Sequence, residues 1–434
     1  MKRTAVIGAG WAGATAALLL ARAGLSVTVF EATKIAGGRA RKVEHDARTF
    51  DNGQHLLLGA YQRSTALIES LHTCVEDVLL RLPLTLHTAP SSRARLALAA
   101  PSLPAPWHLL AAIVLASGLS ISDKLRTIAW ARRNLGDRVI SPELTVEALI
   151  ANQPARAQQL LWEPLCIAAL NTPARTASAT VFIEVLRRAF TTHRLASDLL
   201  VPRVDLSTLL PGPALAEVAA RGNNVCLNTP VLAVTQHASG ATVTSKAGPQ
   251  SFDYAVIATG PQHVARLLSA EPTGASLVAA LRGLEYEPIT TLHLEFVCAS
   301  PEVDTPNPMR MLDGDPGQWV FWRRQSNGHW RASVVISAFH GNDKGADLAT
   351  NALSQLRRHY RLPTPVWTRT ITEKRATYAC TPAQTRQLIE LPRRIGKLLL
   401  AGDWCVPELP ATLEAAVTSG ENAAASIITH ARNG

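Results

Sequence analysis

The stretch "TAVIGAGWAGATAALLLARAG", Thr4 to Gly24, leaves little choice of local fold. A short apolar run of strand character ends in glycines, and an Ala- and Leu-rich run of helical character starts at once and is closed by Gly24. "LSVTVFEA", Leu25 to Ala32, supplies a second strand. Strand, helix and strand with short links predict the opening of a parallel sheet. Gly8, Gly10 and Gly13 stand at GxGxxG spacing across the first junction. There the first glycine makes the tight turn, the second lets a pyrophosphate approach the backbone, and the third lets the helix lie against the strand. The helix start offers unpaired N–H groups and its positive dipole end to that anion. Glu31, at the end of the second strand, is placed to accept from ribose hydroxyls, and a carboxylate there argues against a 2'-phosphate.

Further along, about Ser64 to Phe190 reads as mostly helical, its Leu/Ala periodicity broken by links such as "APSLPAPW". Asn223 to Pro261 alternates and carries turn residues, and its "FDYAVIATG" repeats the first strand's pattern of a buried run ending in glycine. "ITTLHLEF", "QWVFWRR" and "WRASVVISAF" predict an antiparallel sheet, followed by a helix around Asp347 to Tyr360. The tail returns to a strand, "KLLLAGDWCV", and a helix. The expected fold is α/β: a Rossmann-like dinucleotide-binding domain from residues 1–63, 200–264 and 393–434, and an inserted α+β substrate domain, helical and antiparallel, from 64–199 and 265–392.

Hydrophobic residues make up 47% of the chain and charged residues 18%, the balance of a globular protein with a large interior or an apolar ligand. The net charge of +10 favours an anionic partner or an anionic membrane surface. Its arginines are dispersed and form no stripe interleaved with aromatics, so nucleic acid is not an expected partner. Six cysteines lack paired spacing, which predicts neither a metal site nor a redox centre and fits a reduced, cytoplasmic chain. The early glycines interrupt the apolar run that a signal peptide would need. "PWHLLAAIVLASGLSISDKL", Pro106 to Leu125, is short of the roughly 20 apolar residues that span a bilayer. It reads either as a buried core helix or as one lying on a membrane interface at a tunnel mouth.

"IAGGRA" turns closely at Gly37 and Gly38 and presents the planar donor fork of Arg39 to a phosphate. With this element after Glu31, the sequence resembles the flavin-dependent amine oxidase and carotenoid desaturase superfamily. "LLLAGDW" followed by "ELPATLEAAVTSG" resembles that superfamily's second flavin element. The resemblance implies FAD as cofactor, with Gly8, Gly10, Trp11, Ala12, Gly13, Glu31, Gly38, Arg39, Gly53, Gln54, His55, Gly402, Asp403, Thr412 and Leu413 around it and Val231 touching the adenine through its backbone. A nicotinamide would need only the first of these elements. In "FDNGQHLLLGAY", Phe50 to Tyr61, the resemblance places Asp51, Asn52, Gln54 and His55 along the polar ring system, which would satisfy side chains otherwise costly to bury.

"DNGQHLLLGAY" and "LWEPLCIAALNTPARTASATVF" narrow the resemblance to the hydroxysqualene dehydroxylases, over essentially the whole chain. The departure is "CVPELPATLE", where related sequences carry Thr-Gly before Leu-Pro. The implied reaction is reductive dehydroxylation of a C30 isoprenoid alcohol in squalene and hopanoid synthesis. It needs a general acid, an apolar cleft and an external electron donor for the flavin. Glu163, His55 and Asp51 are the expected proton donors, if their surroundings raise their pKa values. Cys166 is expected to be a core residue rather than a nucleophile. The rival readings are a phytoene-type desaturase, a flavin amine oxidase and a non-enzymatic prenyl-lipid carrier. Peripheral contact with the inner face of a membrane is a further expectation; oligomeric state is left open.

Overall fold

Side-chain alternation in the first strand sets the layering. The computed structural model describes residues 2–298, 308–314, 316–340 and 346–433. Along β1 (Arg3–Ile7), Val6 joins one buried cluster while Ala5 and Ile7 join another. The strand Tyr254–Ile257 divides in the same way, with Val256 against Ala255 and Ile257, as does Leu398–Leu400. Period-two alternation with both faces apolar requires cover on both sides. The helix α1 (Trp11–Arg22), with Pro211–Ala220 and Leu413–Asn433, packs one face; the antiparallel strands Val231–His237, Gly240–Ser245 and Gly248–Phe252 lie over the other. The sheet runs in the order Asn224–Cys226, β2 (Ser26–Phe30), β1, Tyr254–Ile257, Leu398–Leu400 and Arg394–Ile395; all but the last junction are parallel. The dinucleotide layer is thus assembled from the start, middle and end of the chain.

A second, antiparallel sheet has the order Met309–Met311, Trp319–Arg324, Trp330–Ser337, Tyr286–Phe296 and Trp367–Tyr378. Leu292, Leu294, Val334 and Ile336 on one face pack with Leu348, Ala352 and Leu356 of the helix Ala346–His359. The other face carries a cross-strand row in which Trp319 pairs with Val335, Val335 with Thr291, and Thr291 with Ile371. That row faces the interior cavity described below.

Two sequence expectations change. The region 64–190 is not simply helical. Leu79–Leu82 pairs with Leu199–Pro202, and Thr85–His87 with Ala97–Ala99. These strands are too short for periodicity to declare them, and the first is completed by a partner far along the chain. The apolar stretch after Pro106 is two helices, Trp107–Leu115 and Ile121–Asn134. Gly118 breaks it: its φ is +91°, and a Cβ there would lie 1.7 Å from the Arg95 carbonyl oxygen. A capping box between Ser120 and Asp123 starts the second helix. Among the described residues no helix is long and apolar enough to cross a membrane. All six cysteines are free.

The hairpin Lys42–His45 and Arg48–Asp51 is tied to the second sheet through Glu295, a buried carboxylate. Arg48 Nε donates to it at 3.0 Å, Arg331 Nη2 at 3.2 Å, and His329 Nδ1 lies at 2.8 Å. Burial alone would raise the Glu295 pKa, but these hydrogen bonds outweigh it and hold the group at about 2. The hairpin leads directly into Asn52–His55, so this anchor positions a cavity wall. Glu295→Ala leaves Arg331 buried without its counter-charge. We expect a loss of about 3–5 kcal/mol in denaturant unfolding, with faster hydrogen exchange confined first to residues 42–51.

Candidate active site

The carboxyl ends of the parallel strands converge on one edge of the first sheet, where open α/β sheets bind ligands. Gly8 follows β1 with φ +99°, and a Cβ there would lie 2.7 Å from the Ala258 oxygen. At Gly13 it would lie 1.9 Å from the Gly8 oxygen. Gly10 differs: its backbone is unstrained at φ −71°, and nothing lies closer than 3.8 Å to an added Cβ. Two of the three glycines are therefore demanded by the protein's own packing, whereas Gly10 guards open space. The first turn of α1 has neither a capping side chain nor an acidic residue, leaving its N–H groups for an anion.

Glu31 is buried at the end of β2. Its Oε2 accepts from the Ala9 N–H at 2.8 Å, and its Oε1 accepts from the Thr33 N–H and hydroxyl at 2.9 and 2.8 Å. These bonds fix the carboxylate while leaving lone pairs for ribose hydroxyls. Arg39 donates to Asp403 Oδ1 and to the Ala376 carbonyl, both at 2.7 Å. This narrows the expected phosphate role of Arg39, because part of its donor fork is committed to the protein. Thr412 accepts from the Ala415 N–H and so starts the terminal helix. Glu414, also buried, accepts from the Arg63 and Ser64 N–H groups and the Ser64 hydroxyl, capping the helix Gln62–Leu71 from across the fold.

These elements line one end of a cavity of about 650 Å³. The other end is walled by aliphatic and aromatic side chains, among them Leu84, Leu86, Leu165, Phe190, Met309 and Trp319. Several buried polar atoms on its walls have no protein partner: Trp11 Nε1 and Thr259 Oγ1 toward the glycine-rich end, and Thr291 Oγ1, Asn171 Oδ1 and Trp319 Nε1 elsewhere. Such atoms are costly unless a bound molecule satisfies them. The uncapped helix start, the fixed Glu31 and the unpaired atoms of Trp11 and Thr259 fit a dinucleotide with a polar ring system.

Gly53, Gln54 and His55 line the cavity, as do Trp11, Ala12, Gly38, Gly402, Thr412 and Leu413. Gly13 lies behind the wall and serves packing. Val231 is also outside the wall; it begins a strand near Thr229, whose N–H donates to the Glu31 carbonyl, and its own carbonyl accepts from Arg266.

The expected proton donors fare differently. Glu163 is exposed and lies off the cavity wall, because the helix Glu163–Leu170 turns Leu165, Ile167 and Ala168 inward instead. Asp51 is likewise off the wall: its Oδ1 accepts from the Leu206 N–H at 2.8 Å, and burial pushes its pKa to about 7 despite that bond. Its placement is structural. His55 is on the wall, with Nδ1 3.1 Å from the Gly53 carbonyl oxygen. Burial lowers its pKa to about 4, helped by the charge of Arg39 and opposed by the Gly53 bond. A carbonyl only accepts, so Nδ1 carries the proton and Nε2 of the neutral ring is an acceptor. His55 is therefore built to receive a hydrogen bond at neutral pH, not to give up a proton. Cys166 is buried, and desolvation pushes its thiol pKa up, leaving it a core residue.

Sequence reasoning missed Tyr61, Asn171, Thr259, Thr291, Trp319 and Glu373, all on the wall. Thr259 had a signal: it follows the second strand that ends in glycine, and such strand ends gather at the ligand edge. Thr291 and Trp319 had none, because alternation groups residues by face without saying which face meets the cavity.

Residues 11–428 match the family described as flavin containing amine oxidoreductase. The chain belongs to that family. As a flavin containing amine oxidoreductase it is an FAD-dependent oxidoreductase, which accounts for the dinucleotide cradle just described. Within the family it is similar to the hydroxysqualene dehydroxylase of Rhodopseudomonas palustris, with 31% identity covering 99% of each chain. The hydroxysqualene dehydroxylase of Zymomonas mobilis is 27% identical over 99% of this chain and 100% of its own. The 15-cis-phytoene desaturase of Synechococcus elongatus is 24% identical over 98% and 96%. Among solved structures, a putrescine oxidase variant shares the fold at TM-score 0.78 and 17% identity, covering 99% of both chains. In this flavin enzyme the helix start at Gly10 would hold the pyrophosphate, Glu31 the ribose, and Gly53–His55 with Gly402–Leu413 the flavin end.

The contrast between the glycines is testable. Gly10→Ala should leave the thermal stability of the flavin-free protein unchanged but weaken FAD binding, measured by titration, by about tenfold or more, equivalent to about 1.4 kcal/mol. Gly13→Ala should instead lower stability itself, because its Cβ meets backbone.

Proposed function

We propose that this enzyme converts hydroxysqualene to squalene. The bond between the allylic carbon and oxygen breaks, the oxygen takes a proton and leaves as water, and a hydride forms the new C–H bond. FAD bound at Gly10, Glu31 and Gly53–His55 would supply that hydride when reduced by an external electron donor. The observation that carries this reading is the continuity of the cavity: one void joins the dinucleotide cradle to a cleft walled by Leu84, Leu86, Leu165, Phe190, Met309 and Trp319. Such a cleft suits an uncharged C30 chain and keeps competing water from an allylic cation. The full-length similarity to hydroxysqualene dehydroxylases supports the same substrate.

The unpaired polar atoms suit a hydroxyl. Thr291 Oγ1 and the His55 ring flank Gly53: an added Cβ at Gly53 would lie 3.8 Å from the former and 3.6 Å from His55 Cε1. His55 Nε2 accepts the substrate O–H, and Thr291, whose hydroxyl both donates and accepts, holds the oxygen by donating to it. Asn171 is held rigidly on another part of the cavity wall. Its backbone takes the left-handed conformation that ends the helix Glu163–Leu170, and its Nδ2 donates to Thr377 Oγ1 at 3.0 Å, leaving Oδ1 unpaired.

Anaerobic mixing of the reduced enzyme with hydroxysqualene should return the flavin absorbance of oxidised FAD and yield one squalene per flavin. Absence of squalene, together with desaturation of a phytoene-like polyene by the oxidised enzyme, would reverse the redox direction. Thr291→Val preserves shape and removes the hydroxyl. It should lower kcat/KM for hydroxysqualene by about tenfold, the worth of one hydrogen bond of about 1.4 kcal/mol, with the flavin spectrum unchanged.

A further inference from the structure

Large apolar side chains are concentrated on one small part of the surface. Trp107, Val114 and Leu115 on the helix Trp107–Leu115, and Ile121 and Leu125 on the helix Ile121–Asn134, are each between 55% and 78% exposed. Val114, Leu115 and Ile121 flank the turn between the two helices, and Leu125 follows Ile121 by about one helical turn. The inner faces are firmly anchored: His108, Ala112 and Ile113 of the first helix and Trp130 and Ala131 of the second are buried. The exposed face is therefore presented by a fixed element, and a contiguous apolar patch on a fixed element marks an interaction site.

The charge on the second helix is mainly positive. The second helix carries Lys124, Arg126, Arg132 and Arg133 against a single acidic residue, Asp123, which is occupied in the capping box with Ser120. Lys124 lies between Ile121 and Leu125 in the chain, its ammonium on the Val114 carbonyl at 2.8 Å. Arg132 and Arg133 are exposed one helix-length away from the apolar tip. A second copy docked here about a two-fold axis would bring these cations against themselves. An anionic surface would not meet that repulsion.

A further feature lies beneath the hairpin. A small apolar void of about 20 Å³ is walled by Leu109 and Ile113 of the first helix, Ala131 of the second and Leu135 just beyond its end. Another part of its wall, including Leu84, Leu165 and Phe190, is shared with the aliphatic end of the main cavity. The exposed patch and the substrate cleft are thus two sides of one thin apolar layer.

We infer that this hairpin docks on an anionic lipid bilayer, its apolar tip at the boundary between headgroups and acyl chains and its arginines on the lipid phosphates. The hairpin is too short to span and amphipathic in the way that suits lying on a surface. Docking there sets the apolar end of the cleft beside the bilayer, from which an apolar substrate is delivered. The docking rests on the surface alone, whereas the delivery step rests on the isoprenoid reading.

Flotation of the full FAD-loaded enzyme with vesicles tests the docking without any turnover. The enzyme should float with vesicles of phosphatidylcholine and phosphatidylglycerol, and less with phosphatidylcholine alone or at high salt. The double substitution Leu115→Ser and Ile121→Ser should reduce the bound fraction about tenfold, and Arg132→Glu with Arg133→Glu should abolish the preference for anionic vesicles. Both variants should keep the flavin absorbance of the wild type, which reports an intact fold. The inference is overturned if the wild type floats with neither vesicle or if the apolar double variant floats equally well. Conversion of a dimer to a monomer by that variant, with no vesicle binding by the wild type, would make the patch an interface between copies. Absence of squalene formation would leave the flotation result standing, so the two proposals fail separately.

Discussion

The ion pair between Arg39 and Asp403 joins two segments from opposite ends of the chain at the centre of the cradle. Asp403 is buried, and a buried carboxylate without a cation would carry a large desolvation cost. Arg39 meets that need and at the same time fixes the Ala376 carbonyl at the end of the second sheet's long edge strand. One guanidinium therefore ties the glycine-rich turn of the dinucleotide layer, the flavin-side loop before the last helix and the strand wall of the substrate cleft. Because these three meet at one point, the cradle and the cleft open into each other as a single cavity.

The second sheet shows how an alternating strand serves two masters. Its outer row packs a helix and secures the sheet, while the inner row, Trp319, Val335, Thr291 and Ile371, forms cleft wall. Polar side chains on that wall include Thr291, Glu373, Arg375 and Thr377, and Thr291 Oγ1 lacks a protein partner. At His55, burial suppresses protonation and converts a potential acid into an acceptor.

Much of the dinucleotide site was legible because its signals are local. The glycine spacing, the strand-terminal Glu31 and the terminal "GDW" each report a turn or a strand end, and turns of that kind have few residues that can form them. The distinction between Gly10 and its neighbours was not legible, since it depends on what lies across the fold from each Cα. Glu163 and Asp51 were misplaced for a related reason: polar residues inside apolar motifs look catalytic until the helix phase or the partner N–H is known. One faces solvent and the other holds Leu206. Thr291 was hidden because what sets it apart is that it faces a void, which strand periodicity does not encode.

The central claim is that FAD and a C30 chain share this one cavity, meeting at Gly53–His55 and Thr291. A crystal structure of the FAD-loaded enzyme with an unreactive saturated C30 hydrocarbon measures that directly. The account predicts continuous ligand density running from the flavin at Gly53–His55 past Thr291 and Trp319 to Leu84, Leu86 and Phe190. Hydrocarbon density that lies elsewhere, or a flavin whose ring end is walled off from that cleft, would contradict it.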